Sequence, residues 1–533
     1  MLLVQFRFIF GFTFLVQLLK CISAHRILAV SPFISYSHFK TMEPILLELA
    51  NRGHQVTVIS NYPQKTPVPN YLDIDFTACN KVLFANVSIT THPTESSAVR
   101  LIFMLSTLHK SITSAECYLK VESFQKLLRS NQTFDLVMSE YYHSQLYDTL
   151  GLVFGTPVMH VISVPMIPPW VSSYYGNPQN PSYIRHFLSN VDQRMSFFER
   201  VQNTIELAVM LLADKLFYSR ITREFAYRYF GSSIPSTGEW TRTASLALVN
   251  SHHSVSGVRP LVPNVIEIGG IHIKQAAVLP ENIEKFINES KHGVVYFCMG
   301  SLLRGETFPP EKREAFLYAF SKIPQRVLWK WEGDVLPGKS DNIMISKWMP
   351  QRDILAHPNV KLFISHGGLL GTSEAVYEGV PVLGIPIFGD QRTNIKSLEA
   401  NGAGELLDYN EISKEVVLEK IQRLLNDPKY KENAKLLSDR YRDRPMSPLD
   451  TAVYWTEYVI RHKGAPHLRT AAADMPWYQY LLLDVIAFIV AVLVAGLLII
   501  YYTTKFILRA IYGLICGGGA KKGSSKSDKK KRN

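Results

Sequence analysis

A short apolar run, Leu362–Ser365, leads straight into His366-Gly367-Gly368, and a helix-forming stretch follows from about Gly371 to Tyr377. Paired glycines let a backbone turn sharply and approach a ligand closely. The helix behind them points its unpaired N–H groups at the turn, which makes an anion site whose usual occupant is phosphate. Val382–Pro386 reads as a second buried strand, with Asp390-Gln391 on the loop beyond its carboxyl end, where open α/β sheets bind ligands. The stretch matches neither G-x-G-x-x-G nor G-x-x-x-x-G-K-[ST]. On chemistry alone it is either a phosphate turn or an ordinary strand-to-helix turn.

A second set of candidates lies near the start of the chain. His38 follows the strand Arg26–Ser31 and a loop, Pro32–Ser37, and opens a helix. A histidine there is a helix-start residue or a general base suited to neutral pH. Glu140 ends the strand Phe134–Glu140, with Asp148 two turns into the next helix and Asp135 at the strand's start. A carboxylate at a helix start also serves the dipole without doing chemistry. In the second half, Ser301 stands on a Gly-Ser turn after the strand Gly293–Ser301. In Trp348-Met349-Pro350-Gln351 a tryptophan just before a proline reads on its own as a packed loop aromatic, though its face could also stack on a planar ring.

The whole run Phe363–Gln391 resembles the signature of the UDP-glycosyltransferases: His-Gly-Gly, a glutamate eight residues after the histidine, two prolines, then Asp-Gln. Its Gly-Gly-Leu-Leu-Gly-Thr wording is closest to insect-type members, and the resemblance extends from about Ala24 past the apolar segment near the carboxyl end. It implies two facing Rossmann-like doubly wound domains of the GT-B type, an acceptor site in the first and a UDP-sugar site in the second. By resemblance, His38 is the base and Glu140, at the strand end where members usually carry Asp, orients it, with Asp148 and Asp135 as rival carboxylates. Trp348 stacks on uracil and Gln351 reaches the base or ribose. Arg259, Ser301, His366, Gly368, Gly371 and Thr372 serve the phosphates, Glu374 takes the ribose hydroxyls, and Asp390 and Gln391 hold the sugar. Leu370 replaces an Asn of some members. The implied reaction is inverting transfer of a hexose, glucose by the insect-type wording and glucuronic acid as the alternative, to a small lipophilic hydroxyl compound, as in detoxification. The UDP-sugar is a co-substrate, and no cofactor or metal is implied. A binding protein without catalysis, favoured by Glu140, and a sugar epimerase are the other readings.

The elements that must position these residues start with a βαβ unit, Arg26–Ser31, a helix through Ala50 and Gln55–Ser60. Further strands are expected at Gly155–Val164, Leu246–Asn250, Arg326–Trp331 and Met344–Trp348. A long loop is expected over Pro165–Tyr183, helices over Phe187–Phe230, and closing helices within Arg440–His462. The expected division is 1–23 signal peptide, 24–250 acceptor domain, 251–440 donor domain, 441–480 closing and juxtamembrane segment, 481–504 transmembrane helix and 505–533 basic tail.

Composition fits this plan. The net charge of +12 is half carried by the last thirteen residues, where seven Lys and Arg face one Asp, so no nucleic-acid footprint remains on the body. Five cysteines form no C-x-x-C, which argues against zinc; Cys79–Cys117 is the one disulfide easily imagined. Phe8–Leu19 is the apolar core of a signal peptide ending at Ser23. Val485–Tyr502 has no charge and nearly the length a bilayer requires, with Trp477-Tyr478-Gln479-Tyr480 as an interfacial belt and the basic tail on the cytosolic side. The sequons at Asn86, Asn131 and Asn288 and the dilysine Lys530-Lys531 then fit a single-pass type I protein of the endoplasmic reticulum with lumenal domains. The oligomeric state is open.

Overall fold

The computed structural model describes residues 24–82, 106 and 115–516, apart from 142–144, 187, 188, 190, 193, 232, 233, 236–239, 241–243 and 302. The expected signal peptide, the sequon at Asn86 and residues 517–533 of the expected basic tail lie outside the described residues; the first part of that tail, 505–516, is helical. The chain divides into two compact units between Ala473 and Asp474.

The first unit contains two sheets. One has seven strands in the order β3-β2-β1-β4-β5-β6-β7: Arg26–Ser31 (β1), Gln55–Ser60 (β2), Tyr71–Asp75 (β3), Leu136–Glu140 (β4), Val158–Ile162 (β5), Ala244–Val249 (β6) and Val265–Glu267 (β7). The other has six, β10-β9-β8-β11-β12-β13: Val294–Cys298 (β8), Arg326–Lys330 (β9), Ile343–Ser346 (β10), Val360–Ser365 (β11), Val382–Gly384 (β12) and Gly404–Leu406 (β13). Every pairing is parallel. That is why the central strands read as unbroken apolar runs: helices cover both faces, as with the fully buried stretch Ile27–Val30. The strand order reverses between β1 and β4 in one sheet and between β8 and β11 in the other, and ligands bind at the carboxyl ends beside such switch points.

Six helices position the site and its surroundings: Tyr36–Asn51 (α1), Pro169–Tyr175 (α2), Phe197–Ala213 (α3), Ser219–Phe230 (α4), Leu369–Glu378 (α5) and Gln391–Ala400 (α6). The helix α2 lies inside the stretch 165–183 expected to be a long loop. Pro169 occupies its first turn, where no N–H is needed, and Gly176 closes it in the left-handed region. Its buried Trp170, Val171 and Tyr175 hold it on the core, so packing overrides a loop-like composition. The first sheet also runs past residue 250, since β7 pairs with β6. Near the end of the unit, Pro448–Arg461 (α7) returns to the first core, where Ala452, Val453, Val459 and Ile460 pack with Phe39, Met42 and Ile45 of α1.

In the second unit, Leu483–Cys516 (α8) is a 34-residue helix of mean hydropathy 3.0 over its best window. At 1.5 Å per residue it is roughly 50 Å long, more than the apolar core of a bilayer. Among the described residues it is the one helix long and apolar enough to cross a membrane.

Candidate active site

The carboxyl ends of both sheets border one cleft of about 770 Å³. On the first side, topology brings three residues together. β1 lies between β2 and β4, and β4 pairs with β5. His38 sits in the first turn of α1, just after β1; Glu140 is the last residue of β4; Ser163 follows β5. His38 Nδ1 is 2.9 Å from Glu140 Oε1. Ser163 Oγ donates to that same Oε1 at 2.6 Å and lies 2.7 Å from His38 Nδ1. Glu140 is fully buried while His38 and Ser163 line the cleft. The rival carboxylates are engaged elsewhere. Asp148 Oδ1 is 3.0 Å from His160 Nε2 in a fully buried pair, and Asp135 Oδ2 accepts from the Arg26 N–H at 2.8 Å. With Nδ1 held by a carboxylate, His38 keeps Nε2 as its proton-accepting atom.

On the second side, the turn after β11 carries the anion site. α5 has Gly368 as its N-cap with no side chain capping it, and its first backbone bond is Thr372 N–H to the Gly368 carbonyl, at 2.9 Å. The N–H groups of Leu369, Leu370 and Gly371 precede that bond and have no partner within the helix. The His366 ring packs so closely that a Cβ on Gly368 would stand 2.5 Å from its Nε2, and one on Gly300 would stand 2.6 Å from its Cε1. Burial, aided by the nearby Lys330 charge, pushes His366 down to about 4. It is therefore a neutral imidazole at pH 7, able to donate from one nitrogen.

Gln351 Nε2 donates to Glu374 Oε2 at 2.7 Å, so these two candidates meet at the cleft wall. Burial pushes the Glu374 carboxyl up to about 7. Asp390 accepts from Asn394 Nδ2 at 2.9 Å; burial raises its carboxyl, while that bond and the His38 charge pull against the rise. Gln391 lines the cleft, but its Oε1 accepts from the Ile387 and Phe388 N–H groups at 2.8 and 3.0 Å. Its carbonyl thus braces the loop, and its amide N–H₂ is the end left for a ligand. Trp348, 68% exposed, and Ser301 stand on the cleft wall.

Two candidates differ from expectation. Arg259 does not line the cleft: its Nη2 donates to the Pro165 carbonyl at 2.8 Å, and it borders a smaller cavity with Arg185 and His186. Its position in sequence carried no sign of that carbonyl, which lies 94 residues away. Thr372 is fully buried and also off the cleft wall; its N–H is spent on Gly368, and its hydroxyl has no partner among the described residues.

Three cleft residues escaped sequence reading. Ser163 gave no local signal beyond following a buried strand. Lys330 is the last residue of β9, buried, with its Nζ 2.6 Å from Glu332; a lysine in the run R-V-L-W-K-W was the available clue. His272 donates from Nε2 to the Leu370 carbonyl at 3.2 Å and stands 3.8 Å from Glu374, and burial holds it down at about 4.

Among the described residues no cluster of His, Cys, Asp or Glu could hold a metal ion. The cleft offers a paired histidine base, an uncapped helix N-terminus and an exposed indole. That set can remove a proton, bind a diphosphate and stack a base.

Residues 26–517 match the family model described as "UDP-glucoronosyl and UDP-glucosyl transferase". The chain is 57% identical over 515 residues to UDP-glycosyltransferase UGT5 of Dactylopius coccus, covering 96% of this chain and 97% of the relative. It is 34% identical over 500 residues to UDP-glucuronosyltransferase 2B1 of Rattus norvegicus, covering 89% and 91%. Among solved structures, the calicheamicin glycosyltransferase CalG4 aligns at 16% identity with a TM-score of 0.54, over 83% of this chain and 99% of that one. Glycosyltransferase VinC, in complex with DTDP, aligns at 16% with a TM-score of 0.53, over 82% and 100%. At such identity these likenesses speak for the fold.

Proposed function

The chain belongs to the UDP-glucuronosyl and UDP-glucosyl transferase family and has a GT-B fold, and from that premise we propose that it transfers glucose from UDP-glucose to a hydroxyl of a small lipophilic acceptor. That it is a UDP-glycosyltransferase follows from the family; the sugar and the acceptor class are the proposal. The observation that carries the mechanism is the His38–Glu140 pair, held by Ser163, in one cleft with the uncapped start of α5. His38 Nε2 takes the acceptor's hydroxyl proton, and Glu140 stabilises the imidazolium that forms. The acceptor oxygen bonds to the anomeric carbon. The bond from that carbon to the diphosphate breaks on the opposite face, and its electron pair leaves with UDP, so the configuration inverts. Negative charge growing on the diphosphate meets the N–H groups at the start of α5, the His366 donor and the Lys330 cation. Fixed dipoles and charges aimed at developing charge lower such a barrier by several kcal/mol. Trp348 stacks on uracil, Gln351 and Glu374 part to take the ribose, and Asp390 with the Gln391 amide holds sugar hydroxyls.

A binding protein without catalysis had one argument, the glutamate at 140. Its 2.9 Å contact with His38 supports the catalytic reading instead. We further propose a single-pass type I protein of the endoplasmic reticulum membrane, anchored by α8, with lumenal catalytic halves. The Cys79–Cys117 disulfide supports an oxidising compartment, and Asn131 and Asn288 are exposed for glycosylation.

The test is to offer UDP-glucose and UDP-glucuronate separately to the full chain in microsomes, with a panel of phenols and lipophilic alcohols. The expected result is a β-linked glucoside from α-linked UDP-glucose. Glucuronide formation at a higher kcat/KM would overturn the donor assignment, and an α-linked product would overturn inversion.

A further inference from the structure

A second cavity, of about 40 Å³, lies between α2, the chain at 177–186 and α3. It shares no lining residue with the catalytic cleft. Two arginines face it. Arg185 is 7% exposed, and its guanidinium makes no hydrogen bond or ion pair among the described residues. Arg259 spends Nη2 on the Pro165 carbonyl, while its buried Nε has no partner among the described residues. The two charges feel each other: burial and the Arg259 charge push Arg185 down to about 10, and burial also lowers Arg259. Both remain cations at pH 7. The cavity backs onto the catalytic wall, since Arg259 holds Pro165, which stands between Ser163 of the cleft and Met166 of the cavity.

Among the described residues nothing in the wall neutralises this pair. The carboxylates that their charges sense are engaged elsewhere. Asp192 Oδ1 accepts from Lys396 Nζ at 2.6 Å, and Glu267 Oε1 accepts from Ser251 Oγ at 2.8 Å. The amides of the wall are spent on the backbone: Gln179 Nε2 donates to the Pro169 carbonyl at 2.6 Å, and Asn203 Nδ2 to the Pro181 and Ile184 carbonyls at 2.8 Å. Burial holds His186 down at about 4, so it adds no charge. A buried charge without a partner is costly, and two like charges together add to the cost. An anion seated between the guanidiniums offsets both. The rest of the wall, Met166, Ile167, Ile184 and Leu207, is apolar. The volume suits about three water-sized groups, which is a carboxylate with its first carbon. A planar guanidinium fork matches that group. Phosphate would leave an oxygen against the apolar wall without a donor.

We propose that Arg185 and Arg259 form a second binding site, separate from the catalytic cleft, for the carboxylate of a small apolar acid. The test uses the full chain in phosphatidylcholine nanodiscs and butyrate as the probe. Saturation-transfer NMR follows the butyrate signals in a titration of wild type, Arg185→Met and Arg220→Met; Arg220 is an exposed arginine outside the cavity. Arg185→Met removes a buried charge without a partner, so it should keep the fold; a melting transition checks this, and Arg259→Met is the second variant if the transition is lost. The expected result is binding to wild type and to Arg220→Met with equal Kd, and a Kd raised about tenfold or more in Arg185→Met, the loss of a charge-assisted pair. Butanol, the same chain without the charge, should give no transfer. Adding UDP should leave the butyrate signal in place. Equal Kd in wild type and Arg185→Met would overturn the proposal. Loss of the signal on adding UDP would return the arginines to the donor site. Displacement of butyrate by inorganic phosphate at a lower concentration than by unlabelled acetate would overturn the carboxylate assignment.

Discussion

Glutamate at position 140 is one methylene longer than the aspartate expected at that strand end, and Ser163 is the residue that holds its extra reach in place. The hydroxyl donates to the same oxygen that contacts His38, so it draws off carboxylate charge while fixing the ring. Ser163→Ala should lower kcat about tenfold, the loss of one hydrogen bond to a charged group, with the donor KM unchanged. A purely structural serine would lower protein yield and leave kcat unchanged. Glu374 gives a second residue-scale test. Its carboxyl is pushed from 4.5 up to about 7 by burial, so ionising it costs the folded state. Stability is then highest below about pH 4.5, falls as pH rises to 7, and is level above that. Glu374→Gln should gain up to about 3 kcal/mol relative to wild type between pH 4.5 and 8, read as a rising difference in Tm. In wild type the donor KM is expected to rise as pH falls below 7, since a protonated carboxyl accepts ribose hydroxyls poorly, and Glu374→Gln should lose that dependence.

At the scale of elements, the anion site is an uncapped helix start held against an imidazole. Gly368→Ala would put a methyl group 2.5 Å from His366 Nε2, and the ring or the turn must move. The Kd for UDP should rise tenfold or more with little loss of thermal stability; an unchanged Kd in a calorimetric UDP titration would contradict the role given to α5. The elements were largely readable because β1, β4, β5 and β8 are largely buried and mostly apolar, with Ser139, Glu140 and His160 among the polar exceptions. The turn at His366 was readable because its glycines do local work. What could not be read was non-local. Ser163 meets His38 across 125 residues, and Arg259 was drawn to the Pro165 carbonyl rather than to the cleft. Lys330 is a cation at a strand end, and nothing in its neighbours says that the strand end faces a ligand. α2 hid in a stretch rich in Pro, Ser and Tyr because tertiary burial, not propensity, makes it a helix.

At the scale of the whole molecule, two parallel sheets give one cleft its two walls, and the segment leading to α8 starts beside α2. The Cys79–Cys117 bond closes a span of 38 residues. Its removal by Cys117→Ser should cost about 2–4 kcal/mol through the looser unfolded chain, seen as a lower Tm. Protease added to sealed microsomes should trim the basic tail and spare residues 24–473; loss of the folded halves without detergent would reverse the proposed topology. The central claim is that His38 takes the acceptor's proton. It is tested most directly by acceptor-dependent UDP release in microsomes holding either wild type or His38→Ala, with UDP binding measured on both. The account predicts a loss of roughly 100- to 10,000-fold in release, with UDP binding unchanged. Release at the wild-type rate from His38→Ala would contradict it.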